Sequence, residues 1–212
     1  MSRLAEQDVA RVIQRYQDRI RQVGVSAGSL NSGSPEKQAV RHAVHAQAFV
    51  PEGRSVLDIG CGLADFYRFI KPTGRPVEYT GYDLVPDYVE ACRRAHPEAS
   101  FAVRNIFAEG IDGIFDTVVM SQVFNNRYAH SDNVAVLHTA LRLAFEHSRC
   151  SVSVDMMSSD VDFQNRDLFY YSPEEMFRFA KTLTRRVVLR HDYRPFEFSL
   201  QLYHGNVGLY LP

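Results

Sequence analysis

The sequence predicts an α/β fold on one mostly parallel sheet, because apolar runs of strand length alternate with helical patterns through its middle. The runs lie at 55–59, 77–82, 100–104 and 115–120, with helical patterns at 64–70, 86–95 and 132–146. In the last of these helices Val134, Leu137, Leu141 and Phe145 share one face. Arg149 to Asp155 reads as a fifth strand, with Val152 and Val154 pointing one way, and Met156 to Phe169 as a long polar loop. Ser172-Pro-Glu-Glu175 caps another helix. The tail breaks the rhythm, since 185–191 and 195–203 read as two antiparallel strands joined by a turn. At 212 residues the chain suffices for one such domain with an extension.

That extension comes first. Val9, Val12, Ile13, Tyr16, Ile20 and Val23 recur at three and four, the spacing of an amphipathic helix. Its apolar stripe fits either a cover over a pocket or a homodimer contact. Gly24 to Ser34 reads as a loop, and Ser34-Pro35-Glu36-Lys37 launches a second helix to about Phe49. Residues 1–50 are therefore expected to form a helical lid on an α/β domain of residues 51–212.

Composition narrows the partners. A net charge of −1 shows no basic footprint for nucleic acid or an anionic membrane. The arginines of the first helix interleave with Glu6, Asp8 and Asp18, as on a solvated face. No apolar run reaches the length of a membrane span. Cys61, Cys92 and Cys150 form no ligand spacing, which suits a reducing cytoplasm. Asp155, Asp160 and Asp162 are too loosely spaced to predict a metal site, and His42 and His45 lack a third ligand.

The most informative stretch is Ser55-Val-Leu-Asp-Ile-Gly-Cys-Gly-Leu-Ala-Asp65, a buried strand, a glycine turn and the opening of a helix. Gly60 and Gly62 allow a tight turn and close approach to a ligand. A second strand ends at Asp83, about twenty residues on, where an acid can hold ribose hydroxyls. Val56-Leu-Asp-Ile-Gly-Cys-Gly62 resembles the first motif of the class I S-adenosylmethionine (SAM) dependent methyltransferases. The acid inside the strand marks that family, and Ala64 and Asp65 stand where a pyrophosphate binder keeps glycine. Strand order resembles the family over roughly 36–203 and the specific motifs over 55–125.

The resemblance implies a Rossmann-like class I fold whose seven strands end in an antiparallel hairpin, with SAM as cosubstrate. It implies that Asp58, Gly60, Cys61, Gly62 and Asp65 shape the methionine pocket. Asp83 would take the ribose and Leu84 the adenine. Asn105, with Ile106, replaces the family's usual acid after strand three, and its carbonyl oxygen can accept from the adenine amino group. Ser121 and Gln122 follow strand four and complete the cofactor set. The segment Ser121 to Tyr128 lacks the Asn/Asp-Pro-Pro motif and the Pro-Cys pair of nucleic-acid enzymes, which favours a small-molecule substrate.

For catalysis, Asn126, Tyr128, Tyr170 and Tyr171 fall in segments expected above the sheet. Aromatic faces attract a sulfonium without accepting a proton. His191-Asp192 is a possible oriented base, but a turn between edge strands explains it better. Methyl transfer to a small molecule by in-line displacement leads. A SAM-consuming cyclase resembling the azetidine-2-carboxylate synthases, releasing methylthioadenosine, is the alternative; a non-catalytic SAM-binding module is the other.

Overall fold

The computed structural model describes residues 4–30, 32–50, 53–74 and 76–205. Three helices come first: α1 (Glu6–Val23), α2 (Ala27–Leu30) and α3 (Pro35–Ala46). The predicted loop before α3 thus carries a short helix of its own. Ser34 starts α3 by accepting from the Lys37 amide, with Pro35 at the first helical position.

The alternating part follows as β1 (Ser55–Ile59), α4 (Asp65–Ile70), β2 (Glu78–Asp83), α5 (Pro86–Ala95), β3 (Ser100–Val103), α6 (Ile106–Glu109), β4 (Phe115–Met120), α7 (Asn133–Glu146) and β5 (Ser148–Met157). The chain ends in α8 (Pro173–Leu183), β6 (Arg186–Arg194) and β7 (Glu197–Tyr203). Among the described residues the strands form one seven-stranded sheet in the order β3-β2-β1-β4-β5-β7-β6. The first five are parallel, and β7 lies antiparallel between β5 and β6. This is the predicted Rossmann-like fold with a C-terminal hairpin.

Two boundaries moved for a visible reason. Strand β5 continues past Asp155 because Met156 and Met157 pair with Phe198 and Glu197. His191 and Asp192 lie within β6 rather than at a turn, and Arg190 grips the Asp192 carboxylate. None of the described helices is long and apolar enough to cross a membrane.

Both faces of the sheet are covered, and neighbouring residues of one strand serve different cores. Leu57, Val118, Leu137, Leu141, Val152 and Leu200 join one apolar cluster. Val56, Tyr67, Tyr79, Val89 and Phe101 join the other, against α4 and α5. The chain leaves β1 toward β2 and β3, then returns to place β4 on its other side. That reversal opens a crevice at the carboxyl ends of the strands, where open α/β sheets bind ligands.

Candidate functional site

A cavity of about 410 Å³ occupies this crevice. The ends of β1, β2, β3 and β4 form its floor, while Val12 and Tyr16 of α1 and Lys37, Arg41 and His42 of α3 close it from above. The apolar stripe of α1 therefore faces a pocket.

The glycine turn is fastened to its neighbour strand. Gly60 and Gly62 have φ of 75° and 53°, and the Gly60 and Cys61 amides donate to the Tyr82 carbonyl at 2.7 and 3.0 Å. A Cβ on Gly60 would stand 2.6 Å from Val123 Cγ2, and one on Gly62 2.8 Å from Leu30 Cδ2. Ala64, where the sequence departs from a glycine pattern, adopts a left-handed φ of 59° even so.

Asp83 joins the two loops. Its Oδ2 accepts from the Gly62 amide at 2.8 Å and its Oδ1 from the Val85 amide at 2.9 Å. Burial raises its pKa above the usual carboxylate value, opposed by the amides of Val85, Gly62 and Leu84. Asp58 is more enclosed, accepts from the Tyr79 hydroxyl, and is pushed by burial up to about 7. The Cys61 thiol is pushed well up by its contact with Cys92 and by burial, so it is no nucleophile. Asp65 opens α4 and pairs with Arg68.

All eleven residues expected to bind the cofactor line this cavity, Leu84, Asn105, Ile106, Ser121 and Gln122 included. One carries an added duty, since Asn105 Oδ1 caps α6 by accepting from the Phe107 amide.

The four residues expected to be catalytic divide. Asn126 and Tyr128 line the cavity. Arg15 donates to Asn126 Oδ1 at 2.7 Å, and burial raises the Tyr128 pKa, keeping the phenol protonated. Tyr170 and Tyr171 do not reach the cavity. The Tyr171 hydroxyl donates to the Phe124 carbonyl at 2.8 Å, and its ring packs in the core against Phe169. The Tyr170 hydroxyl accepts from the Asn165 amide and braces the loop before α8. A run of aromatic residues beside a site here packs beneath it.

The sequence reading missed a wall of charge. Arg41 grips Glu197 with Nε and a terminal amine at 2.6 and 2.7 Å, in a pair only 8% and 4% exposed. Arg194 stands 2.9 Å from the same carboxylate. Beneath them His45 Nδ1 meets Ser153 Oγ at 2.8 Å, and its Nε2 lies 3.3 Å from Asp155. Asp155 also receives the Gln122 amide and the Ser121 hydroxyl. His42 lies beside Phe66 and Phe69, and burial lowers its pKa to about 4, leaving a neutral imidazole at pH 7. The local signal for these residues was slight: α3 buries Arg41, His42, Val44 and His45 on one face. A second hollow of about 520 Å³ shares Val12, Arg15, Asn126 and Tyr128 with the first.

Comparison with known proteins agrees with this geometry. A family model described as a methyltransferase domain matches residues 57–146. A Mycobacterium tuberculosis protein named as a methyltransferase is 30% identical over 154 residues, covering 69% of this chain and 90% of its own length. The chain belongs to the class I SAM-dependent methyltransferases. SAM is the cosubstrate of this methyltransferase family. Solved structures share its fold at low identity. The magnesium protoporphyrin IX methyltransferase of Synechocystis, with S-adenosylhomocysteine (SAH) bound, is 13% identical with a TM-score of 0.61, over 93% of this chain and 100% of its own. The N-methyltransferase NodS of Bradyrhizobium japonicum, also with SAH, is 14% identical with a TM-score of 0.64, over 89% and 97%.

Proposed function

We propose that this methyltransferase transfers the methyl group of SAM to a small molecule by in-line displacement. The size of the cavity and the helices over it carry this reading. Its volume falls in the range of small-ligand pockets, and α1 and α3 roof it where a polymer would need an open groove. SAM supplies a strong electrophile, so the protein's task is alignment and exclusion of water.

Asp83 would receive the ribose hydroxyls on the lone pairs its two amide donors leave open. Leu84 and Ile106 would flank the adenine, and Asn105 would meet its edge. The turn from Gly60 to Gly62, with Asp58 and Asp65, would hold the methionine part. Ser121 and Gln122 complete the floor, and Asn126 and Tyr128 border the side from which an acceptor approaches. Tyr128 stays neutral and presents an aromatic face that suits a sulfonium.

The relative that spans most of the chain is named a methyltransferase, which favours transfer over cyclisation of SAM or binding without turnover. Incubating the full chain with SAM, with and without small-molecule acceptors, and following products by mass spectrometry tests this. SAH formed only with an acceptor is the expected result. Methylthioadenosine accumulating from SAM alone would overturn it.

A further inference from the structure

Six arginine and lysine side chains line the cavity against four carboxylates. SAM, with one carboxylate, one ammonium and one sulfonium, adds another net positive charge. The second molecule to enter meets a positive enclosure.

Hydrogen bonding on the acceptor side has the same bias. The Met157 amide donates to Asn125 Oδ1 at 3.0 Å, which fixes that amide's orientation. Asn125 Nδ2 therefore donates to Gln122 Oε1 at 2.8 Å. With Oε1 taken, Gln122 Nε2 is buried and has no hydrogen-bond partner among the described residues. The backbone there is held at a φ of 59°, with its amide on Asp155 Oδ1 at 2.5 Å. So the orphan donor belongs to a fixed loop that lines the cavity.

Arg194 supplies the second donor. Arg41 is fully engaged, with Glu197 on two nitrogens and the Ser32 carbonyl on the third at 2.5 Å. Arg194 only flanks Glu197 through Nε, and its terminal amines bond to no described residue. From β1 to β7 the sheet order counts three steps, roughly 14 Å at ordinary strand spacing. Arg194 and Glu197 therefore stand away from the nucleoside end, on the acceptor's side.

We propose that the acceptor is a small hydroxy acid, its carboxylate held by the Arg194 guanidinium and the Gln122 side-chain amide, while its hydroxyl oxygen takes the methyl group as the sulfur–methyl bond of SAM breaks and its proton passes to solvent. This rests on the methyl-transfer reading above. Arg41 is a positioning residue here: it balances Glu197 so that Arg194 keeps its terminal amines for the ligand. A guanidinium fork fits a carboxylate better than a lysine would.

The test offers the full chain, with SAM, a panel of hydroxylated aromatic and aliphatic acids, each also as its primary amide. SAH formation gives turnover, and calorimetry on the SAH complex gives binding. Acids should bind and turn over, with amides weaker by roughly tenfold or more, the weight of a charge-assisted hydrogen bond. Arg194→Gln should raise the KM for the acid by roughly tenfold with SAH affinity unchanged, and Arg194→Lys should recover part of it. Three results would overturn the proposal: amides accepted as well as acids, an acid KM indifferent to Arg194→Gln, or no acid binding the SAH complex. Failure of the wild-type chain to bind SAH would instead remove the methyl-transfer reading itself.

Discussion

The two halves of the cavity are built by different means. The half around the glycine turn, proposed above for the nucleoside, is backbone: its amides meet the Tyr82 carbonyl and Asp83 locks it to the next loop. The opposite half, proposed above for the acceptor, is side chains brought from distant places, with Arg41 of α3 on Glu197 of β7 and Arg15 of α1 on Asn126. The first half is set by local conformation and tolerates few residue types. The second is set by pairing of charges between elements far apart in the chain. A fold of this kind can keep its cosubstrate while changing its acceptor.

Breaking the charge pairing should have the largest effect. Glu197→Ala leaves Arg41 and Arg194 facing each other without their shared carboxylate, in a place where Arg41 is 8% exposed. We expect a stability loss of about 3 kcal/mol, read from the urea midpoint. If the midpoint stays put, the acceptor wall is not held by this cluster.

Beside the glycine turn, Asp83→Asn keeps the outline but leaves one acceptor oxygen for two donors, so either the Gly62 or the Val85 amide loses its partner. SAH affinity should fall by roughly tenfold in calorimetry, with methylthioadenosine weakened to the same extent because it retains the ribose. Unequal losses would move Asp83 away from the ribose.

The smallest effect concerns pH and sharpens the contrast between the floor and the roof. Folded Asp58 keeps its proton up to about 7 where the unfolded chain releases it near 3.8. Its stabilising contribution is full below pH 4 and is lost as pH rises through 7. His42 runs the other way: its folded pKa of about 4 lies below the unfolded 6.5, so its contribution is present above 6.5 and lost as pH falls. The two oppose each other between pH 4 and 7. Asp58→Asn should unmask the histidine, so that stability gains about 2 kcal/mol more from pH 5 to 7 than in the wild type, read from urea titrations. An unchanged pH slope would mean that the folded Asp58 pKa is not raised.

The same contrast explains what was legible in the sequence. The strand alternation, the Gly60–Gly62 turn and Asp83 were readable because each depends on residues a few positions apart. Arg41 was not, since a helix arginine whose partner is Glu197 looks like any solvated one, such as Arg11. Arg194 was hidden for the same reason. Tyr170 and Tyr171 misled because an aromatic pair in a loop looks available for ligand. Backbone pairing of Tyr171 with Ser158, and of its amide with the Met157 carbonyl, goes with a side chain buried in the core. Asn105 lines the cavity, and its capping of α6 depends on a four-residue helix too short to stand out as a pattern.

The Arg41–Glu197 pair also orders events in time. During synthesis Arg41 is made 156 residues before the carboxylate it closes on, an interval of roughly 8–31 s at ordinary elongation rates. Through that interval its guanidinium has no reason to leave water, and α3 has no fixed seat. The glycine turn can settle as soon as β2 has emerged. The roof is sealed only when the hairpin arrives, so a chain halted near its end would have a formed glycine turn and no acceptor wall.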